Sequence, residues 1–299
     1  MSKVCSLAEA VSTITPGSHV TLPGFAITRC AMAFAAEVVR QKIDHLTISQ
    51  CVGAMDADLL VGAGMVERLI YGGGSLDRFG RLENVNRGIE DGSLIAEEYS
   101  SLSVAFRYLA GALGIPFIPI RSLRGSDLYQ QLEEKHPEDI ANVDDPFTGK
   151  NWLVLKPLHP DVAIVAAQIA DEEGNARILG PKWDNSEQVK ASKRAIVITE
   201  HLVPTEFMRQ KPEDTIIPGF MVSHVVEQPF GSYPTSMYRE YDYDGKQIEK
   251  YVEAQATHDS FRKYLDEYVL STGDHWKLLE KVGGSKKLNE LRADPILGY

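Results

Sequence analysis

The chain is poor in the residues that mark several large protein classes. Among 299 residues it has three cysteines, Cys5, Cys30 and Cys51, with no CxxC pair and no histidine at metal-ligand spacing. So sparse and odd a set excludes a disulfide scaffold and fits free thiols in a reducing compartment. No run approaches the roughly 18 apolar residues of a membrane helix. The opening Met1-Ser2-Lys3-Val4 has no basic stretch leading into an apolar one, so no secretion signal is expected and a soluble cytoplasmic protein is. Basic residues are outnumbered, 31 Lys and Arg against 42 Asp and Glu, a net charge of −11. That argues against nucleic-acid binding, which needs a concentrated basic face. The eight histidines form no HExxH, and GxSxG, GxGxxG and GxxxxGK[ST] are all missing. Zinc-protease, serine-hydrolase, dinucleotide and P-loop readings therefore have no support.

What is present is ordinary globular material: 43% hydrophobic and 24% charged residues. Helical and strand-like stretches alternate. Leu7 to Ile14 and Ala31 to Gln41 read as helices, His19 to Leu22 and His45 to Val52 as strands. Asp58 to Val61 reads as one helical turn, Glu67 to Tyr71 as a strand ending in glycines. Ser93 to Glu97 is strand-like, Ser101 to Leu113 helical with Gly114 as its cap, and Phe117 to Ile120 a short strand. Residues 125–149 turn polar and read as a surface excursion. Val162 to Ala167, Arg194 to Thr199 and Phe220 to Val226 are apolar strands, as expected of a sheet covered on both faces. Ser186 to Ser192 is helical, and the last fifty residues carry only helical periodicity. The expectation is one α/β domain over 1–299, an open, mostly parallel sheet with helices on both faces and a helical cap from about 245 to 299.

Chemistry concentrates where strands end. Leu22-Pro23-Gly24-Phe25 closes the first strand, and a glycine there lets backbone N–H groups approach a ligand. Arg29 follows at a helix start, where a cation opposes the helix dipole; it is a candidate for a carboxylate or phosphate. Gly72-Gly73-Gly74-Ser75 offers a nest of donors and a hydroxyl. Glu97-Glu98-Tyr99-Ser100 places two carboxylates before a helix. Helix-start placement alone accounts for Glu97; it would also account for Glu98, which could instead serve as a base or hydrogen-bonding group. Gly125-Ser126 lies beyond Pro116-Phe117-Ile118-Pro119 and by its residues alone reads as an ordinary turn. Glu83-Asn84 lacks the flanking Ser and Gly of a Ser-Glu-Asn-Gly nucleophile turn, so Glu83 reads as a solvated surface residue.

Taken in order, these segments resemble the α subunit of family I coenzyme A transferases, of the glutaconate CoA-transferase type. Gly180-Pro181-Lys182-Trp183, Gly231-Ser232-Tyr233-Pro234, Tyr241-Asp242-Tyr243-Asp244 and the closing Pro295-Ile296-Leu297-Gly298-Tyr299 extend the resemblance along the chain. Departures are Pro23 where the family has glycine, Ala31 where it has proline, and Tyr233 where it has histidine. The resemblance implies half an active site. Its nucleophile, a glutamate, would sit on a separate β subunit, with a coenzyme A thioester as substrate and no permanently bound cofactor. Glu98 and Ser75 would be catalytic-side groups; Gly24, Phe25, Arg29, Gly73, Gly74, Gly125 and Ser126 would contact substrate. Two other tasks stay open on the same fold: ring-opening hydrolysis or decarboxylation of an acyl-CoA, and acyl-CoA binding without turnover.

Overall fold

The structure, a computed structural model, describes residues 2–294, 296 and 297. Among the described residues eleven strands run in chain order: β1 (His19–Thr21), β2 (Leu46–Gln50), β3 (Val66–Tyr71), β4 (Ile95–Glu98), β5 (Ile118–Ile120), β6 (Ile140–Asp144), β7 (Asn151–Leu155), β8 (Val162–Asp171), β9 (Ala176–Arg177), β10 (Arg194–Val203) and β11 (Val222–Glu227). The helices are α1 (Leu7–Ser12), α2 (Met32–Gln41), α3 (Met55–Gly62), α4 (Glu83–Glu90), α5 (Ser101–Leu113), α6 (Asp127–Lys135), α7 (Asn185–Ala191), α8 (Thr205–Arg209), α9 (Gly245–Ala254), α10 (His258–Leu265), α11 (His275–Lys281) and α12 (Gly284–Leu291).

Eight strands form one sheet in the order β11-β10-β8-β1-β2-β3-β4, with β9 folded back antiparallel on β8. Every other pairing in it is parallel. Alternating side chains explain why helices cover both faces. On β8, Ile164 enters one apolar cluster, and Ala163 and Val165 enter another. Ile196 and Val197 of β10 divide the same way. The first cluster also holds α2, α3 and residues of α9 and α10, so these two C-terminal helices belong to the main core, whereas α11 and α12 pack in a separate cluster with Phe230, Tyr233 and Tyr241.

Three stretches depart from the sequence expectation. Asp58 to Val61 is part of a full helix, α3, whose Met55 to Leu60 are all buried. A helix enclosed on every side has no polar stripe, so it lacks the period that reveals amphipathic helices. Glu83–Glu90 is likewise helical, with Glu83 itself exposed. Residues 125–149 are no loose excursion. They hold α6 and β6, and β6 joins β5 and β7 in a separate antiparallel sheet, ordered β5-β7-β6.

Burial of charge shapes stability. Glu200 of β10 is 5% exposed, and burial pushes its carboxyl from 4.5 up to about 8. It accepts hydrogen bonds from the Phe230 N–H at 2.6 Å and the Tyr241 hydroxyl at 2.8 Å. Burial likewise pushes Asp56 and Asp184 up to about 6. Their folded-state values are raised, so the native chain holds protons that the unfolded chain has released. Stability therefore falls as pH rises through these values, by up to about 1.4 kcal/mol per pH unit for each group between its two states. Half-buried His19 and buried His275, pushed down to about 4, act oppositely and only below their ordinary 6.5. We expect the melting temperature to fall from pH 7 to pH 8.5, with Glu200 the main contributor. A scan that is flat or rises over that range contradicts this.

Candidate active site

The carboxyl ends of β1 to β4 lie side by side, where parallel α/β sheets bind ligands. β1 is also where the strand order reverses, since β2, β3 and β4 extend one way and β8, β10 and β11 the other. Hydrogen bonds tie the strand ends into one rim. The Gln50 amide donates to the Pro23 carbonyl at 2.7 Å, and the Gly53 N–H to the Gly73 carbonyl at 2.8 Å. The Ser75 N–H donates to the Gly53 carbonyl at 3.3 Å, and the Ser101 hydroxyl to the Gly72 carbonyl at 2.8 Å.

Glycine is required at two of these positions. At Gly24, φ is +90°, and an added Cβ would lie 2.8 Å from the Arg29 carbonyl oxygen. At Gly72 it would lie 2.4 Å from Ser101 Cα and 2.5 Å from the Cys51 carbonyl oxygen, both backbone atoms unable to yield cheaply. Gly72→Ala is expected to destabilise the chain by about 2 kcal/mol and to displace the start of α5. Thermal denaturation checks this, and an unshifted melt contradicts it.

Glu98 ends β4, paired with Tyr71 in the ladder and half-buried, with Gly73 beside its carboxylate. Burial alone raises its carboxyl above the ordinary range, and no ion pair joins it among the described residues. Its carboxylate in turn helps burial push the Tyr71 hydroxyl up to about 12. Glu97 points to the other side of the strand. It is 1% exposed and ion-paired with Arg68 and with Arg107 at 3.8 Å, and the His136 ring lies 3.9 Å away. One carboxylate is thus committed to the scaffold and its neighbour is left free.

Ser75 lies at the end of the glycine turn, half-buried, its hydroxyl accepting from the Asp77 N–H at 3.2 Å. Past Glu98, Ser100 caps α5. A file of hydroxyls leads from it to Ser103 at 2.7 Å and on to Ser122 at 3.0 Å. The rim thus gathers Gly24, Gly73, Gly74, Ser75 and Glu98.

Two expectations need correction. Arg29 does not face a ligand. It is 2% exposed with φ +57°, and its guanidinium donates to Asn185 Oδ1 at 2.6 Å and to the Ala166 and Pro181 carbonyls at 3.2 Å. Its Cζ lies 4.8 Å from the centre of the Trp183 ring, which stacks in turn on Phe25 at 5.5 Å. A buried guanidinium that donates through both terminal nitrogens to protein acceptors serves as a strut. Gly125 and Ser126 build a helix start: the Ser126 hydroxyl caps α6 by accepting from the Tyr129 N–H at 3.3 Å.

Trp183, Asp184 and Asn185 form the wall across from Gly24. Gly180-Pro181-Lys182-Trp183 reads in sequence as loop, and Asp184 and Asn185 escape it altogether. Their only local signal is an Asp-Asn pair at the start of α7. The Gly231-Ser232-Tyr233-Pro234 and Tyr241-Asp242-Tyr243-Asp244 segments brace each other. Tyr233 donates to Asp244 at 2.8 Å, and the Ser232 N–H donates to the Tyr241 hydroxyl at 3.0 Å. Of the closing Pro295-Ile296-Leu297-Gly298-Tyr299, Pro295, Gly298 and Tyr299 lie outside the described residues. Among the described residues no His, Cys, Asp and Glu cluster could hold a metal, and no helix is long and apolar enough to cross a membrane.

A family model described as Coenzyme A transferase matches residues 4–228. The chain belongs to the coenzyme A transferase family. One subunit of the glutaconate CoA-transferase of Acidaminococcus fermentans is 33% identical over 317 residues, covering 100% of this chain and 97% of that protein. A chain of the solved glutaconate coenzyme A-transferase from the same organism superposes with a TM-score of 0.93 at 31% identity, covering 100% of this chain and 98% of that one. An uncharacterised protein of Archaeoglobus fulgidus is 37% identical over 294 residues and 97% of this chain, but the chain spans only 64% of that protein's length. A chain of a solved variant of the decarboxylase AibA/AibB superposes with a TM-score of 0.78 at 30% identity, over 89% of this chain and 98% of that one. The coenzyme A transferase fold is therefore that of this whole chain, and its open parallel sheet is the one the strand pattern predicts.

Proposed function

We propose that this chain is the α subunit of a two-chain coenzyme A transferase, which moves CoA between an acyl-CoA and a carboxylic acid, a dicarboxylic acid included. The observation that carries this reading is the unfinished rim. Gly24, Gly73, Ser75 and Glu98 converge at the strand ends, yet no hydrogen bond joins Glu98 or Ser75 to a His, Lys or Arg among the described residues. Neither side chain is activated as a nucleophile by a neighbouring base or cation. A partner β subunit supplies the attacking carboxylate.

In the first step that carboxylate attacks the thioester carbonyl; the C–S bond breaks, the CoA thiolate leaves and an acyl-glutamyl anhydride forms. The thiolate then attacks the glutamyl carbonyl and releases the donor acid as its carboxylate, leaving a glutamyl-CoA thioester. An acceptor carboxylate reverses both steps and regenerates the glutamate. No net proton is consumed. Splitting one hard exchange into easier ones is what a covalent carboxylate contributes. This chain's part is to hold the thioester against the rim. The half-buried Glu98 hydrogen-bonds the reacting end, and the Ser75 hydroxyl and the backbone donors of the glycine turn face the oxyanion that develops at each carbonyl.

The likeness to a decarboxylase supports one other reading, in which the partner lacks the glutamate and the same rim serves carbon–carbon cleavage. Incubating the assembled pair with an acyl-CoA and a free dicarboxylic acid separates the two. A new CoA thioester of the acceptor supports transfer. Carbon dioxide or a ring-opened acid, with no new thioester, contradicts it.

A further inference from the structure

We propose that the partner chain docks on an aromatic platform made by Phe25, Trp183 and Tyr238, and that it anchors a side chain in the cleft beside them. The proposal rests on the two-chain reading above.

Phe25 and Trp183 stack with an interplanar angle of 22° and remain 43% and 37% exposed; Tyr238 is 42% exposed. Large aromatics left side by side in solvent mark interaction surfaces, and Trp, Tyr and Arg dominate the residues whose truncation weakens interfaces. The platform is held from beneath. Arg29, fixed by Asn185 and two carbonyls, keeps Trp183 in place. The Arg29 N–H donates to the Ser236 carbonyl at 2.7 Å and the Ser236 N–H to the Ile27 carbonyl at 3.0 Å, fastening the loop that carries Tyr238 to the one that carries Phe25. Ala26, Arg29, Trp183 and Arg239 all take left-handed backbone angles, a conformation side chains rarely adopt unless the surroundings enforce it. So rigid a surface loses little freedom when it is covered.

Between the two loops lies a cleft of about 320 Å³, lined by Thr28, Ser236, Met237, Tyr238, Arg239 and Tyr241 among others. It has room for one large side chain. Position selects the occupant. Phe25 directly follows Gly24 of the rim, so the platform borders the strand ends at which a partner chain would present its carboxylate. A second copy seated here would close two rims against each other without a nucleophile for either.

The test uses this chain and its β-type partner, recognised by a Ser-Glu-Asn-Gly segment, purified separately and titrated by sedimentation velocity. Phe25→Ala and Trp183→Ala are each expected to raise Kd by roughly 30-fold or more. Tyr238→Arg, on an exposed ring, keeps the test valid should Trp183→Ala misfold. Phe147→Ser, on a ring 94% exposed elsewhere, serves as the control and should leave Kd unchanged. Platform variants that bind within about 3-fold of the native chain overturn the proposal, and so does weakening by Phe147→Ser alone. Self-association of the native chain that Phe25→Ala abolishes would assign the platform to a second copy and overturns it as well. If the native chains do not associate at all, the two-chain reading falls first and the platform with it.

Discussion

Glu98→Ala is expected to lower kcat/KM of the assembled enzyme by roughly 100-fold or more, while assembly and thermal stability stay close to the native values. The expectation comes from how the two neighbouring carboxylates are divided. Glu97 is buried among Arg68, Arg107 and His136, so its loss would unpair buried charge and act on folding. Glu98 has no such ties, and burial alone holds its carboxyl above the usual range. A side chain that is half-desolvated and left without an ion pair at a strand end contributes little to stability and is available to a substrate. Glu98→Gln keeps the shape and one hydrogen-bonding edge, so its loss should be smaller, roughly 10-fold. Steady-state kinetics on the reconstituted pair decides the matter. Native rates in Glu98→Ala would remove this residue from the site.

Arg29→Ala is expected to lower the stability of the isolated chain by roughly 4 kcal/mol, a fall in Tm of about 8 °C. Truncation strands two buried acceptors, on Ala166 and Asn185, loses a part-buried bond to Pro181, and opens a cavity beneath Trp183. Burial brings the guanidinium down only to about 10, so it stays cationic at neutral pH. Differential scanning calorimetry of the chain without substrate or partner distinguishes a strut from a ligand-binding cation. An unshifted Tm together with a raised KM would restore Arg29 to the substrate.

Local signals made the strands and the rim legible. β8 and β10 are apolar runs, β3 ends in three glycines, and α5 lies between its Ser100 cap and Gly114. The rim follows from those same turns, because Gly24, Gly73 and Glu98 stand where strands stop. What stayed hidden depends on distant partners. Arg29 reads as a polar residue at a helix start, and only Asn185, 156 positions away, reveals the strut. α3 was obscured because it is enclosed on every side, its Asp56 and Asp58 satisfied by partners that include Gln50, Asn84 and Tyr251. The small sheet was obscured because β6 is exposed over Ala141 to Asp144, with no apolar alternation to announce a strand.

If this chain holds the thioester and its partner attacks it, the covalent intermediate must form on the partner alone. Mass spectrometry of both chains after incubation with acyl-CoA, together and apart, reads that out. No turnover and no covalent CoA are expected on this chain by itself, and a CoA thioester is expected on a glutamate of the partner once the two are assembled. Turnover by the isolated chain, or a CoA adduct on its own Glu98, would contradict the division of labour.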